Sequence, residues 1–272
     1  MILEVILTPA ELPALAKRDL RDATCVVFDV LRATSTFVTA LHHGAKAIIP
    51  VSEIAEALAI RQKQPDILLG GERDGVKIRA AQTGGVDFDL GNSPREYTPE
   101  KVRGKMIVST TTNGTRALRA CTGAQTVLAA SFLNLTATAQ FIRRLQPAQI
   151  VLVCAGTREN IATEDVLAAG ALCELLSDHF GITDAPLTPS LSPFGRGEGV
   201  RPNDSAETAL GAWRKAKSNL FAAISDAENA RRLLAIPELR DDVAFCLQQD
   251  KYPLIAQMEA DGAIRMLGEI LN

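Results

Sequence analysis

Histidine is scarce in this 272-residue chain: there are three, two of them adjacent at His42 and His43. A metal centre built on imidazoles is therefore not expected. Cysteine occurs five times, at Cys25, Cys121, Cys154, Cys173 and Cys246, and never as a C-x-x-C pair. That spacing argues against a zinc site and against a dithiol redox motif. An odd, dispersed set suits reduced thiols, and all but Cys154, which ends a strand, read as small buried hydrophobes. No uncharged apolar run reaches the length of a membrane span. The opening MILEVILTP reads as a strand rather than as a basic-then-apolar leader. A cytoplasmic protein with no membrane partner is expected. Excess positive charge is missing too, with 29 Lys and Arg against 32 Asp and Glu and a net charge of −3. Nucleic acid is thus not an expected partner, and any anionic ligand must be held by a local cluster. Glycine-rich phosphate loops are also absent, since no Walker loop and no G-x-G-x-x-G follows any strand.

Short apolar runs are plentiful, and they alternate with helical patterns. CVVFDV, AKAIIPV, DILLGGE, GKMIVST, AQTVLAA and AQIVLVCAG read as strands. Helices are expected after CVVFDV, over SEIAEALAIRQ, from about Asn113 to Ala120, from about Leu133 to Leu145, and from Glu164 to Phe180. Continuous apolar strands separated by helices indicate an α/β fold: three layers, a mostly parallel sheet with helices on both faces. The C-terminal part is helical in pattern, with Leu210, Trp213, Leu220 and Ile224 as apolar positions between Ala206 and about Leu234. One unit spanning 1–272 is expected, with two α/β lobes meeting near 130–150 as the alternative. The Pro-, Gly- and Ser-rich stretch at 184–205 reads as a flexible insertion, and RAAQTGGVD (Arg79 to Asp87) as a smaller loop.

Ligands of parallel α/β sheets bind beyond the carboxyl ends of the strands, so the polar residues there carry the functional reading. FDVLRATST holds Asp29, Arg32, Thr34 and Ser35 after the first apolar run. Helix capping accounts for Thr34 or Ser35. It does not account for Asp29, an acid in a buried strand, where an unpaired charge is costly. Asp29 is expected to be a metal ligand or an ion-pair partner, and Arg32 is either that partner or a bidentate phosphate holder. GGERDG adds Glu72 and Arg73, and FDLGNSP adds Asn92 and Ser93. VSTTTNGTRAL places Thr111, Thr112, Asn113, Gly114 and Thr115 where a strand hands over to a helix. Asn-Gly ordinarily turns a hairpin. Here a helix follows, and its free N–H groups and the hydroxyls suit an anion. SFLN contributes Ser131 and Asn134. TEDVLAAG reads first as a capping sequence, with Glu164 and Asp165 favoured by the helix dipole. Carboxylates and hydroxyls converging at one sheet edge would suit a hard cation such as Mg²⁺ rather than zinc.

Taken in order, FDVLRATST, LLGGER, FDLGNSP, TTTNGTRAL, SFLN and CAGTREN…TEDVLAAG resemble the 2-phosphosulfolactate phosphatase family from about Cys25 to Gly170. The resemblance implies an α/β fold and a Mg²⁺-dependent phosphatase that converts 2-phospho-3-sulfolactate to 3-sulfolactate, a step of the coenzyme M biosynthesis type. The 184–205 insertion and the length of RAAQTGGVD depart from the family pattern.

On this reading Asp29, Glu72, Glu164 and Asp165 supply Mg²⁺ ligands or the base, and Arg32 and Arg73 hold phosphate and sulfonate oxygens. Thr34, Ser35, Asn92, Ser93, Thr111, Thr112, Asn113, Gly114, Thr115, Ser131 and Asn134 are the candidate substrate-binding residues. The nucleophile is open between a metal-bound water, the Asp29 carboxylate and the Cys154 thiolate, in that order. The alternatives are a phosphatase for a related phospho-2-hydroxy acid and a non-catalytic phosphate- or nucleotide-binding module. A homodimer is the default expectation for a soluble enzyme.

Overall fold

The structure, a computed structural model, describes residues 1–180 and 201–269. Its strands are β1 (Ile2–Ile6), β2 (Ala23–Phe28), β3 (Ala47–Pro50), β4 (Leu68–Arg73), β5 (Val76–Lys77), β6 (Met106–Thr110), β7 (Thr126–Ala130), β8 (Gln149–Cys154), β9 (Arg201–Pro202), β10 (Leu254–Met258) and β11 (Ile264–Glu269). They form one sheet in the order β5-β4-β6-β3-β11-β10-β7-β2-β8-β1-β9. The pairs β1–β8, β1–β9, β2–β7, β2–β8, β3–β6 and β4–β6 are parallel. Among the described strands, antiparallel pairing occurs at β4–β5 and at the contacts of β10 and β11.

The central strands are mostly apolar because both faces are covered: every residue of β2 and of β7 is buried, and Thr24 and Thr126 are their polar residues. Helices Leu135–Leu145, Thr163–Phe180 and Asp204–Ala216 cover one face through Ile142, Leu172, Leu210 and Trp213. Helices Ala33–His42 and Gly114–Ala120 cover the other through Phe37, Leu41, Ala117 and Leu118. A smaller core forms where helix Ile54–Lys63 sets Ala57 against Leu69 and Val108. The three-layer α/β expectation and the helical C-terminal part hold. Among the described residues, no helix is long and apolar enough to cross a membrane.

The structure adds detail in three places. The helical pattern from Ala206 to Leu234 is divided among three helices, Asp204–Ala216, Leu220–Ser225 and Glu228–Leu234. Asn219 causes one break, its side chain accepting the N–H of Ala222 and so starting a new helix. The loop Arg79 to Asp87 contains a turn of helix, Ala80–Thr83, ended by Gly84 in the left-handed region at φ +81°. Residues beyond 250, unassigned from the sequence, form the β10–β11 hairpin. Of the expected insertion, 184–200 lie outside the described residues. Arg201–Pro202 extends the sheet beside β1, and Asn203 caps helix Asp204–Ala216 by accepting the N–H of Ala206.

The hairpin gives the sheet its shape. It lies between β3 and β7, so β6 and β2 stand five strand spacings apart, about 24 Å in a flat sheet. Yet residues following β2 and β6 line one cleft, so the sheet is strongly curled. The pivot is weakly paired: β11 meets β3 through the single pair Ile264–Ile48, and the β10–β11 register shifts between Leu254 and Ala256. Bulges and sparse ladders increase local bending.

Candidate functional site

Beyond the carboxyl ends of β2, β4, β6 and β8 lies a cleft of about 60 Å³. Its lining includes Asp29, Arg32, Glu72, Asp74, Asn92, Thr112, Asn113, Thr157, Arg158, Asn229 and Arg232. Asp29 follows β2 directly and is 8% exposed. Its Oδ1 accepts the Ala33 N–H at 3.1 Å, and its backbone is clamped by Thr34, whose hydroxyl donates to the Asp29 carbonyl at 3.0 Å. The Gly114 N–H also favours the charged form of the Asp29 carboxyl. A Cβ at Gly114 would lie 2.7 Å from Asp29 Oδ2 and 2.9 Å from Ala33 Cβ. Only glycine lets the backbone approach so closely. Burial, then the neighbouring charges of Glu72 and Glu164, push the Asp29 carboxyl up to about 7.

Glu72, next to the last residue of β4, bridges two segments. Its Oε1 accepts the N–H and the hydroxyl of Thr112, at 3.0 and 2.9 Å, and its Oε2 accepts the Gly75 N–H at 2.7 Å. Asp74 and Gly75, at φ +55° and +84°, form a two-residue hairpin turn between β4 and β5. That geometry suits Asp-Gly. In VSTTTNGTRAL, Asn-Gly does the opposite and opens helix Gly114–Ala120 with Asn113 as its cap residue. Arg32 is buried at 3% exposure. It donates to Asp242 Oδ2 at 2.7 Å and to the Gly75 carbonyl at 2.5 Å. Asp242, fully buried, also accepts the Ser93 hydroxyl at 2.7 Å. The Leu31–Arg32 peptide is cis.

Glu164 and Asp165 begin helix Thr163–Phe180 behind the cleft and are almost fully buried. Asp165 clips two strand exits together, accepting the Val30 N–H at 2.8 Å and the Gly156 N–H at 3.0 Å. Glu164 Oε1 accepts from the Asn229 amide at 2.7 Å, while its Oε2 is buried without a partner among the described residues. Burial raises both carboxyls, and Asp165 is raised further by Glu164 and Asp29. Their dipole-favourable position is real, but these acids serve tertiary contacts. Cys154 is fully buried and its thiol is pushed well up by burial and by the Asp165 charge, which disfavours the thiolate.

Other expected site residues lie away from the cleft. Helix Ala33–His42 is buried almost all round, so its hydroxyls must bond internally. Thr34 serves the Asp29 backbone, and Ser35 donates to the Val30 carbonyl at 2.8 Å. Ser93 supports Asp242. Ser131 and Asn134 cap each other's segment, and Asn134 also reaches the Ala129 and Leu254 carbonyls. Arg73, Thr111 and Thr115 line a neighbouring depression of about 230 Å³ with Arg116, and Thr112 borders both hollows. Within it the Arg73 guanidinium donates to the Thr110 hydroxyl and to carbonyls of Ser52, Glu72 and Thr110. Sequence reasoning missed Asp74 and Arg158, which sit inside quoted motifs. It also missed Asn229, Arg232 and Asp242, whose helices gave no local polar signal.

Among the described residues, no three Asp, Glu, His or Cys side chains converge tightly enough to cage a metal ion. Mg²⁺ needs less, commonly one or two carboxylates with water and phosphate oxygens. Asp29 with Glu72 or Glu164 provides such an all-oxygen set. The partnerless buried oxygens Glu164 Oε2 and Asn113 Oδ1 are further acceptors. The residues present fit a hard cation.

A family model described as 2-phosphosulpholactate phosphatase matches residues 7–261. A protein of Caldanaerobacter subterraneus named probable 2-phosphosulfolactate phosphatase is 37% identical over 91% of this chain and 92% of its own length. A Synechococcus protein of the same name is 35% identical over 96% of this chain and 95% of its own. A Thermotoga maritima protein, also so named, is 37% identical over 85% of this chain and 87% of its own length.

Proposed function

Because the chain belongs to the 2-phosphosulpholactate phosphatase family, we propose that it hydrolyses the phosphate ester of 2-phospho-3-sulfolactate, releasing 3-sulfolactate and phosphate with the help of Mg²⁺. The product is the kind of intermediate used in coenzyme M biosynthesis. The observation that supports the reading is the burial of Asp29 among like charges. Asp29 and Glu72 line the cleft with Glu164 behind them, and acids set this close cost stability unless a cation or a proton-transfer task accounts for them.

Glu72, with water and the substrate's own oxygens, would hold the ion, leaving Asp29 as the base, and the ion's charge would neutralise phosphoryl oxygens. Asp29 titrates near neutrality, which suits proton transfer. It takes a proton from the attacking water as the phosphorus–oxygen ester bond breaks, and that proton passes to the departing alkoxide oxygen. Arg32 is held in one orientation by Asp242 and the Gly75 carbonyl, so it presents fixed positive charge to the phosphate. Asn92, Thr112 and Asn113 line the same wall. Asp165 does not face the cleft and instead positions the loops after β2 and β8. The test is phosphate release from 2-phosphosulfolactate by the purified chain. We expect it to require Mg²⁺, to stop with EDTA and to be lost in Asp29→Asn. Release that is unaffected by EDTA or by Asp29→Asn would refute the reading.

A further inference from the structure

Among the described residues, four non-glycine residues lie in the left-handed region, and two of them, Asp74 and Arg158, line the same cleft. Asp74 is explained by its Asp-Gly hairpin turn. Arg158 is not. It is the first of the two central residues in a tight turn after β8, closed by Thr157 and Asn160 exchanging N–H to carbonyl bonds at 2.9 Å in both directions. Its φ is +56°, where such turns usually place glycine, asparagine or aspartate. An arginine there is strained, and strain of this kind concentrates at ligand clamps. Arg158 makes no hydrogen bond or ion pair among the described residues, and its side chain is exposed at the cleft. The neighbouring cleft cation Arg32 is matched by Asp242. Arg158 is therefore the unmatched positive charge of this cleft.

A second arginine is brought to the same rim. Asn229 and Arg232, three apart on helix Glu228–Leu234, share a face. Asn229 donates to the Thr157 hydroxyl at 2.6 Å, next to Arg158. The Arg232 stem packs on the Asp74–Gly75 turn, 3.5 Å from where a Gly75 Cβ would stand. Arg232 keeps one nitrogen on Glu228 at 3.1 Å. The floor of the cleft is acidic, with Asp29, Glu72 and Asp74, and repels any anion not held from the rim.

We propose that Arg158, assisted by Arg232, is the specificity-determining clamp for a non-reacting oxyanion, a carboxylate or sulfonate, on the carbons next to the phosphate ester. The guanidinium fork suits either group. The inference rests on the phosphatase reading for its substrate and not for its site.

The experiment compares kcat/KM for three esters: isopropyl phosphate, 2-phospholactate and 2-phosphosulfolactate. In Arg158→Gly, which the backbone accepts without strain, the preference for 2-phosphosulfolactate over isopropyl phosphate should fall about 10- to 100-fold, the value of one or two charge-assisted bonds. Arg158→Lys should restore part of it. The 2-phospholactate arm assigns the clamped group: a matching loss identifies the carboxylate, no loss the sulfonate, and both support the clamp. An unchanged preference overturns it. If the wild type releases phosphate from none of the three, the functional reading falls, and calorimetric binding of 3-sulfolactate still decides the clamp. Binding weakened at least 10-fold in Arg158→Gly supports it. Equal affinity, or no binding to the wild type, overturns it.

Discussion

Replacing Asp29 by Asn should remove catalysis and yet stabilise the protein at alkaline pH. The folded carboxyl titrates at about 7, raised by burial and by Glu72 and Glu164, whereas in the unfolded chain it titrates near 3.9. Between these values the folded state binds the proton more strongly. The stability this confers is complete below about pH 4 and is lost as pH rises through 7. A gap of about three units corresponds to roughly 4 kcal/mol. Asn cannot ionise, so that slope vanishes. Its amide also cannot accept every N–H that Ala33 and Gly114 offer, which costs about 1–3 kcal/mol at all pH values. The variant is therefore less stable than wild type at pH 4 and more stable by about 1–3 kcal/mol at pH 8, a melting difference of about 2–10 °C for a chain of this size. Urea or thermal melts in EDTA across pH 4–8 should give two curves that cross. Asp165 shares the effect, since Asp29 contributes to its raised carboxyl, and this sharpens the crossing. Parallel curves would refute the argument that the acids are forced together in the fold.

Three further outcomes follow from the same contacts. Asp242→Asn leaves the buried Arg32 without its countercharge, so a loss of about 3–5 kcal/mol is expected by calorimetry. Gly114→Ala drives a methyl to within 2.7 Å of Asp29 Oδ2. A fall in kcat of at least about tenfold should accompany a modest fall in melting temperature, because misplacing a reacting group costs rate steeply. Cys154→Ser should keep kcat within about threefold, since the buried, raised thiol is a poor thiolate; loss of turnover would reinstate it as nucleophile.

The layer architecture was legible because apolar runs such as CVVFDV and AQTVLAA have no other stable home than a sheet covered on both faces. Asp29 was legible for a related reason: an acid at the end of a buried strand has few bland explanations. Thr34, Ser35, Ser131 and Asn134 look identical to Thr112 in one dimension. Whether a hydroxyl faces a cleft or satisfies a backbone carbonyl depends on which side of a buried helix or turn it occupies. Asp242, Asn229 and Arg232 were invisible because their partners are distant in sequence, as in the pairing of Arg32 with Asp242. Arg158 left a faint trace. A polar residue between Thr157 and Asn160 announces a turn, but the sign of its φ is not written in the letters.

The position of the β10–β11 hairpin also orders events in time. Among the described strands, β5, β4, β6 and β3 form one half-sheet and β7, β2, β8, β1 and β9 the other, and the hairpin of residues 254–269 links their ladders. While a ribosome is still adding these residues, β3 and β7 both stand as open edges, and every residue of β7 is one that the finished fold buries. Such edges invite pairing with other chains, and closing them depends on contacts of long sequence separation, which form slowly. Asp29 and Glu72 belong to opposite halves. The sheet that carries both acids is therefore complete only once residues 254–269 have joined it.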